Sequence, residues 1–428
     1  MESSTITLII VGVMMVLYIT ELFPAAVTSI LACLALAVFN VIPIDTAFSG
    51  FGNDMVYLIV GMVVVGNALF ETGVAQMIGK KIISAVGTNE RIFSIALILV
   101  TMVPSLFISN TATAAIMLPV AAAAISASGG KLQKKNTYMM IGIATVVSGG
   151  LTLVGSTPQL IAQGILQEGG YETMSFFEVG KVGFPLFALM ILYFQTIGRK
   201  LQQKVFDFEE AADIAVAAQP GGGGERRREA KGLARMCISA AILVFCITGF
   251  IVGFWSLGVV AMVGAILCVA TGCISQKRVF EQMDWTTVII MGCSFCLSTA
   301  LDQSGAGRLI AQGMVGFLGD NVTPWLLCAA LALVSMLLTN FMSSTAAAAL
   351  LLPITVLVAA ELGYNVKSVV MMTVIATNLG YATPISTPAM TMTLTGGYRF
   401  LDYVKVGGLF SILTYIFIVL LFPLVFKF

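Results

Sequence analysis

Histidine is absent from all 428 residues, and only 10% of the chain is charged. The first absence removes the commonest general base and metal ligand. No catalytic dyad, metal cluster or phosphate-binding loop is visible in what remains, and the four-glycine run at 221–224 lacks the strand and helix that such a loop needs. The low charge, with 58% hydrophobic residues and a mean hydropathy of +1.00, lies far outside the range of soluble globular proteins. A net charge of +1 provides no basic surface for nucleic acid. What is there is apolar sequence, in runs long enough for a hydrocarbon core of about 30 Å. They recur at roughly 5–21, 25–42, 55–75, 180–198, 234–252, 256–275, 285–304 and 404–426. The chain therefore reads as an all-α polytopic membrane protein. Its first run lacks the basic flank and cleavage site of a signal peptide and is expected to stay as a helix.

Eight cysteines suggest no disulfide framework, because Cys33, Cys246, Cys268, Cys293, Cys296 and Cys328 fall inside apolar runs, where thiols serve as small packing residues. Cys293 and Cys296 have the CxxC spacing of redox and metal motifs but no partner ligands, so packing is expected of them too.

The chain repeats itself. "NALFETG" from Asn67 is echoed by "STALDQSG" from Ser298, and "SNTATAAIMLP" from Ser109 by "SSTAAAALLLP" from Ser343. "MMIGIAT" (139–145) matches "MMTVIAT" (371–377), and "STP" (156–158) matches "STP" (386–388), always in the same order. Two homologous halves follow, 1–198 and 236–428, joined by a polar linker over 199–235. Within each half, an apolar stretch centred on the Ser-Asn-Thr or Ser-Ser-Thr motif (near 92–127 and 321–360) is expected to form two half-length helices, a re-entrant hairpin. A break is expected near 155–158 and again near 383–388. Five crossings plus a hairpin per half require the second half to sit upside down, the inverted-repeat plan of many secondary transporters.

Charge tests that topology. With the N-terminus outside, the 92–127 hairpin facing the cytoplasm and the linker inside, the expected cytoplasmic segments hold 18 of the 22 basic residues. Only Lys181, Arg308, Lys367 and Lys427 fall on the other side.

Irregular backbone at membrane depth is tolerated only inside protein or along a cavity, so the breaks mark a site. Serine, threonine and asparagine favour N-caps and proline favours the first helical turn, so each STP reads as a helix start, with Thr157 or Thr387 as cap. Helix starts offer free N–H groups and partial positive charge to an anion, and the preceding helix ends offer carbonyls to a hard cation such as Na⁺. An anion could thus be held without a buried arginine. The amide of Asn110 could serve both ions.

At these residues the chain resembles the divalent-anion:sodium symporters, the sodium-coupled dicarboxylate and citrate transporters of the ion transporter superfamily, whose paired Ser-Asn-Thr motifs mark two hairpin tips. The resemblance covers nearly the whole chain except the linker and one N-terminal helix that many members carry. It implies a homodimer in the cell membrane, with a scaffold part and a transport part that moves like an elevator. Carried over by motif, substrate carboxylates would meet Asn110, Thr111, Ser156 and Thr157 from one half and Ser344, Thr345, Thr387 and Pro388 from the other. One sodium site would use Ser105, Ser109, Asn110 and Gly155, and a second Thr339, Met342, Ser344 and Ser386. Two departures stand out. Ser344 lacks the family's amide, and the family's Pro-Pro-Asn reads "TPQ" at 157–159 and "TPA" at 387–389.

The expected function is secondary transport of small di- or tricarboxylates such as succinate, malate or fumarate, driven by sodium. A sodium-independent carboxylate exchanger uses the same fold. A cation/proton antiporter or metalloid-anion transporter of the wider superfamily fits less well, since proton exchange needs a titratable residue at midplane and neither hairpin stretch has one between 92 and 127 or 321 and 360. Glu71 is the best remaining candidate, but its repeat partner is Gln303 and it reads as a helix-end carboxylate. A channel or membrane enzyme fits less well still.

Overall fold

The computed structural model describes residues 2–74, 77, 89–129, 131–206, 225–318 and 323–427. Among them there is helix, turn and irregular chain but no strand. The first run of helices is α1 (Ser3–Thr20), α2 (Ala25–Val38), α3 (Ile44–Ser49), α4 (Asp54–Thr72), α5 (Glu90–Ser105), α6 (Asn110–Ala127), α7 (Tyr138–Gly149), α8 (Thr157–Glu168), α9 (Gly180–Gln195) and α10 (Ile197–Val205). The second is α11 (Glu225–Val252), α12 (Leu257–Ala270), α13 (Gln276–Glu281), α14 (Trp285–Gln303), α15 (Ala306–Leu318), α16 (Pro324–Thr339), α17 (Ser344–Glu361), α18 (Val366–Thr377), α19 (Pro388–Met392) and α20 (Phe400–Val425). Element order recurs, and so does length: α2 and α12 have 14 residues each, α4 and α14 have 19, α5 and α16 have 16, α6 and α17 have 18, and α7 and α18 have 12. Matched glycines with positive φ, Gly73 and Gly305, follow α4 and α14, where the left-handed conformation terminates a helix at least cost. Lys80, Lys81 and the central linker 207–224 lie outside the described residues; α10 forms a short helix in the stretch before them.

Several helices are shorter than the apolar runs that contain them. The run at 25–42 holds a helix that stops at Val38, after which Asn40 turns with φ 54° and Pro43 starts the next element. Hydropathy follows solvent preference, and here a single polar residue turns the chain between apolar neighbours. Length also fails to separate crossing helices from hairpin arms, since α17 is long and apolar enough to cross alone. Packing is more informative. Residues α5 and α6, separated by Leu106–Ser109, both lie along α7, and α16 and α17 both lie along α18. Twelve residues span only about 18 Å, so both arms crowd one short helix.

The runs interlock. Helix α2 packs on α14 and α12 on α4; α8 packs on α17 and α19 on α6, two reciprocal pairs of contacts between the halves. Small residues allow the closest crossing: a Cβ on Gly61 of α4 would lie within 2.7 Å of Ala261 of α12. In α4, α14 and α17 most of the apolar length is buried by protein, whereas α1, α11 and α20 expose most of theirs. The former surround the centre. The latter lie at the periphery. All eight cysteines are free, and seven are buried; Cys33 of α2 donates to the Cys293 carbonyl of α14, so the CxxC has a neighbouring thiol that its own sequence does not reveal. The carboxylate of Glu71, at the end of α4, accepts from Gln282 and pairs with Arg278, as a helix-end residue does.

One ion cluster joins the halves away from the helix centres. Lys367 at the start of α18 lies 2.8 Å from Glu178 and 2.7 Å from Glu172, and the Lys367 and Glu178 side chains are each only 11% exposed. Removing one partner of a buried pair leaves an unpaired charge, at a cost of about 3–5 kcal/mol. Lys367→Ala should therefore lower the melting temperature of the purified protein markedly, while Glu172→Gln, on the exposed partner, should leave it nearly unchanged.

Candidate binding cavity

Both expected tips are built from N-caps. Ser109 accepts from the Ala112 N–H at 3.3 Å and Ser343 from Ala346 at 3.2 Å, which starts α6 and α17 at the motifs. Thr387 caps α19, with Pro388 in the first turn. In the other half the cap is Ser156 rather than Thr157, and the Ser156 hydroxyl donates across the halves to Asn378 Oδ1 at 2.8 Å. Each tip is tied to the break in its own half by a threonine. Thr152 donates to the Leu106 carbonyl, and Thr383 to the Asn340 carbonyl at 2.8 Å. These threonines, with Asn378, escape a reading of the sequence because their partners lie tens to hundreds of residues away.

The four helix starts surround a cavity of about 260 Å³. All eight residues expected at a substrate line it: Asn110, Thr111, Ser156, Thr157, Ser344, Thr345, Thr387 and Pro388. Further wall comes from α4, through Ile59, Met62 and Val63, from the start of α14, through Asp284, Thr286, Thr287 and Ile290, and from neighbours of the tips and breaks such as Phe107, Val154 and Leu160. Among the described residues, no lysine or arginine lines it. The one carboxylate, Asp284, caps α14 and accepts from the Thr287 N–H and hydroxyl. Thus hydroxyls, amides and free N–H groups converge from both halves, and the long helices α6, α8 and α17 point their positive ends inward. About half a positive charge at each helix start favours an anion there.

The residues expected at sodium divide into two groups. Ser109, Asn110, Gly155 and Ser344 line the cavity; Ser105, Thr339, Met342 and Ser386 are buried behind it. Behind the first tip, α5 ends at Ser105 and α7 at Gly149, bringing the negative ends of two helices together. Oxygens crowd this spot: a Cβ on Gly155 would lie 2.6 Å from the Gly149 carbonyl and 2.7 Å from that of Ser105, and one on Gly149 would strike Asn110 Oδ1. Glycine is required at both positions so that these oxygens can approach. Three carbonyls and an amide oxygen, uncharged and hard, form a donor set that suits a cation such as Na⁺. Gly149 was not apparent from the motif. Only its place in a run of small residues hints at it.

Accessibility of single cysteines in a cysteine-free background checks this geometry. Thr111→Cys, on the open wall, should react with a maleimide in minutes, whereas Ser386→Cys, at 0% exposure, should remain unmodified under the same conditions.

Comparison with known proteins agrees with the architecture. The citrate transporter family model matches residues 15–367 and 256–428. The chain is 27% identical to an uncharacterized transporter of Haemophilus influenzae, over 93% of this chain and 86% of that one. It is 25% identical to the sodium-dependent dicarboxylate transporter SdcS of Staphylococcus saprophyticus, over 94% of this chain and 82% of the relative. Among solved structures the fold is similar to that of the YdaH transporter of Alcanivorax borkumensis, with TM-score 0.56, 16% identity and coverage of 92% and 88%. It is also similar to MtrF of Neisseria gonorrhoeae, with TM-score 0.58, 13% identity and coverage of 99% and 94%. An all-helical chain with several bilayer-length helices, matched over most of its length by one transporter model, is a multi-pass membrane transporter and not an enzyme: it belongs to the citrate transporter family.

Proposed function

We propose that the protein carries small dicarboxylates such as succinate, malate or fumarate across the cell membrane in symport with sodium. The observation that supports this most is the cavity itself: eight uncharged residues from two matched tips and two matched breaks around one space, with no cationic side chain. At about 260 Å³ it lies below the roughly 300–1,000 Å³ of sites for drug-sized ligands, which favours a compact anion. Binding by dipoles and hydroxyls is moderate in strength, as release on the far side requires. Sodium beside Asn110 would offset the anion's charge in a medium where charge is costly.

The same reading assigns the two runs as inverted repeats, with the N-terminus outside and the 199–235 linker cytoplasmic. The hairpins and broken helices form the part that moves, and the walls from α4 and α14 belong to a stationary scaffold that holds a homodimer. The recurring element order and the crossed packing between halves support this arrangement.

Labelled succinate in proteoliposomes tests the proposal. An inward sodium gradient should drive accumulation; uptake indifferent to sodium but dependent on internal carboxylate would contradict symport and mark an exchanger. Asn110→Ala removes a hydrogen bond to a charged ligand, worth about 1.5–3 kcal/mol. Apparent substrate affinity should fall by about ten- to a hundredfold while gel filtration is unchanged.

A further inference from the structure

The two halves match in element order and length, yet the spot behind each tip differs, and the difference bears on how many cations the protein can hold. Behind the first tip, the carbonyls of Ser105, Gly149 and Gly155 lie close to Asn110 Oδ1, and no backbone bond joins Asn110 to Ser156 among the described residues. The donor that meets Asn110 Oδ1 is a side-chain hydroxyl, that of Ser105 at 3.3 Å, which also has the Thr145 carbonyl at 2.7 Å as an acceptor and can turn to it alone when a cation enters. Behind the second tip, the Ser344 N–H donates to the Ser386 carbonyl at 2.9 Å. That carbonyl, on a residue expected as a cation ligand, is turned toward one of the protein's own donors.

The space is filled as well. The glycine that stands against Thr339, Gly380, has the Ser386 Cβ and Thr339 Cγ2 where its own Cβ would go, at 2.8 and 2.9 Å, and only one oxygen, that of Thr339, at 3.0 Å. Around Gly149 and Gly155 the corresponding close atoms are mostly oxygens. Ile385 takes the place of Gly155 in the STP register, and Ser344 that of Asn110. Two asparagines stand nearby on the second side, and both are engaged: Asn340, four residues earlier, accepts from the Ala382 N–H at 3.0 Å, and Asn378 accepts from the Ser156 hydroxyl at 2.8 Å. At Asn340 the amide has shifted from a ligand position to a strut. Sodium needs several oxygens free of other donors; here carbon atoms and N–H groups have replaced them, and a cation would have to break a buried backbone hydrogen bond to enter.

We infer that the protein binds a single sodium ion, behind Asn110 in the first half, and that the second half closes its counterpart site with its own hydrogen bonds. This rests on the sodium-symport reading and adds a stoichiometry to it. A dicarboxylate carried as a dianion with one sodium moves a net negative charge inward. An inside-negative potential would then oppose uptake, whereas two sodium ions would make it indifferent to potential.

Equilibrium binding of ²²Na⁺ to the purified full-length protein, without carboxylate, is the test. One ion per chain at saturation is expected, with none in Asn110→Ala; Gly155→Ala, which pushes a methyl group toward two of the carbonyls, serves if that variant does not fold. Two ions per chain, or one that survives both substitutions, would overturn the inference while leaving symport intact. No bound sodium would overturn the symport reading and this inference with it. In proteoliposomes, a potassium diffusion potential, inside negative, should slow sodium-driven succinate uptake, and uptake unaffected or accelerated by it would contradict a single coupled ion.

Discussion

A backbone N–H or C=O has no water to bond with inside a bilayer, and leaving one unpaired costs several kcal/mol. The irregular stretches around the cavity answer that constraint. The tip at 106–109 is met by Thr152, and the tip at 340–343 by Thr383 and Asn340. The break before α19 is fastened by Ser411, whose hydroxyl accepts from the Tyr381 N–H and donates to the Leu379 carbonyl. What these ties leave free is confined to one place. The helix starts open into the cavity, and the helix ends behind the first tip bring carbonyl oxygens close together. In the proposed function, anion and cation preferences both arise from the same broken helices, from their opposite ends.

The matched element order places this geometry in both halves of the chain, and the packing of α8 on α17 and α19 on α6 brings the two into one cavity. Once merged, the copies need not stay equal. An anion spanning both tips uses N–H groups and hydroxyls, which serine and threonine supply as well as asparagine does. A cation uses oxygens alone. Exchange of Asn110 for its counterpart Ser344 is therefore tolerable on the substrate side and costly on the cation side, which is where the halves differ most. The amide side chain kept nearby at Asn340 strengthens the fold instead.

Much of this was legible in the sequence because it is local. Capping by Ser109, Ser343 and Thr387 follows from residue type and the alanine-rich runs that succeed them, and the matched segments reveal two copies before any contact is known. The eight residues expected at a substrate came from the family resemblance at these motifs, and they line the cavity because the motifs begin helices. What was hidden depends on distant partners. Nothing near Thr152 or Asn378 indicates which carbonyl or hydroxyl it meets, and Asp284, at an ordinary helix cap, gives no sign that α14 begins on the cavity wall. Helix ends within apolar runs were hidden too, since Phe39 through Ile42 is as greasy as the helix it follows.

The central claim is that an anion rests between the two uncharged tips. A cryo-EM map of the protein with sodium and succinate tests it most directly. The account predicts ligand density bridging Asn110 and Thr111 on one side to Ser344 and Thr345 on the other, with no basic side chain within reach. Density placed elsewhere, or a carboxylate paired with a lysine or arginine drawn into the cavity, would contradict it.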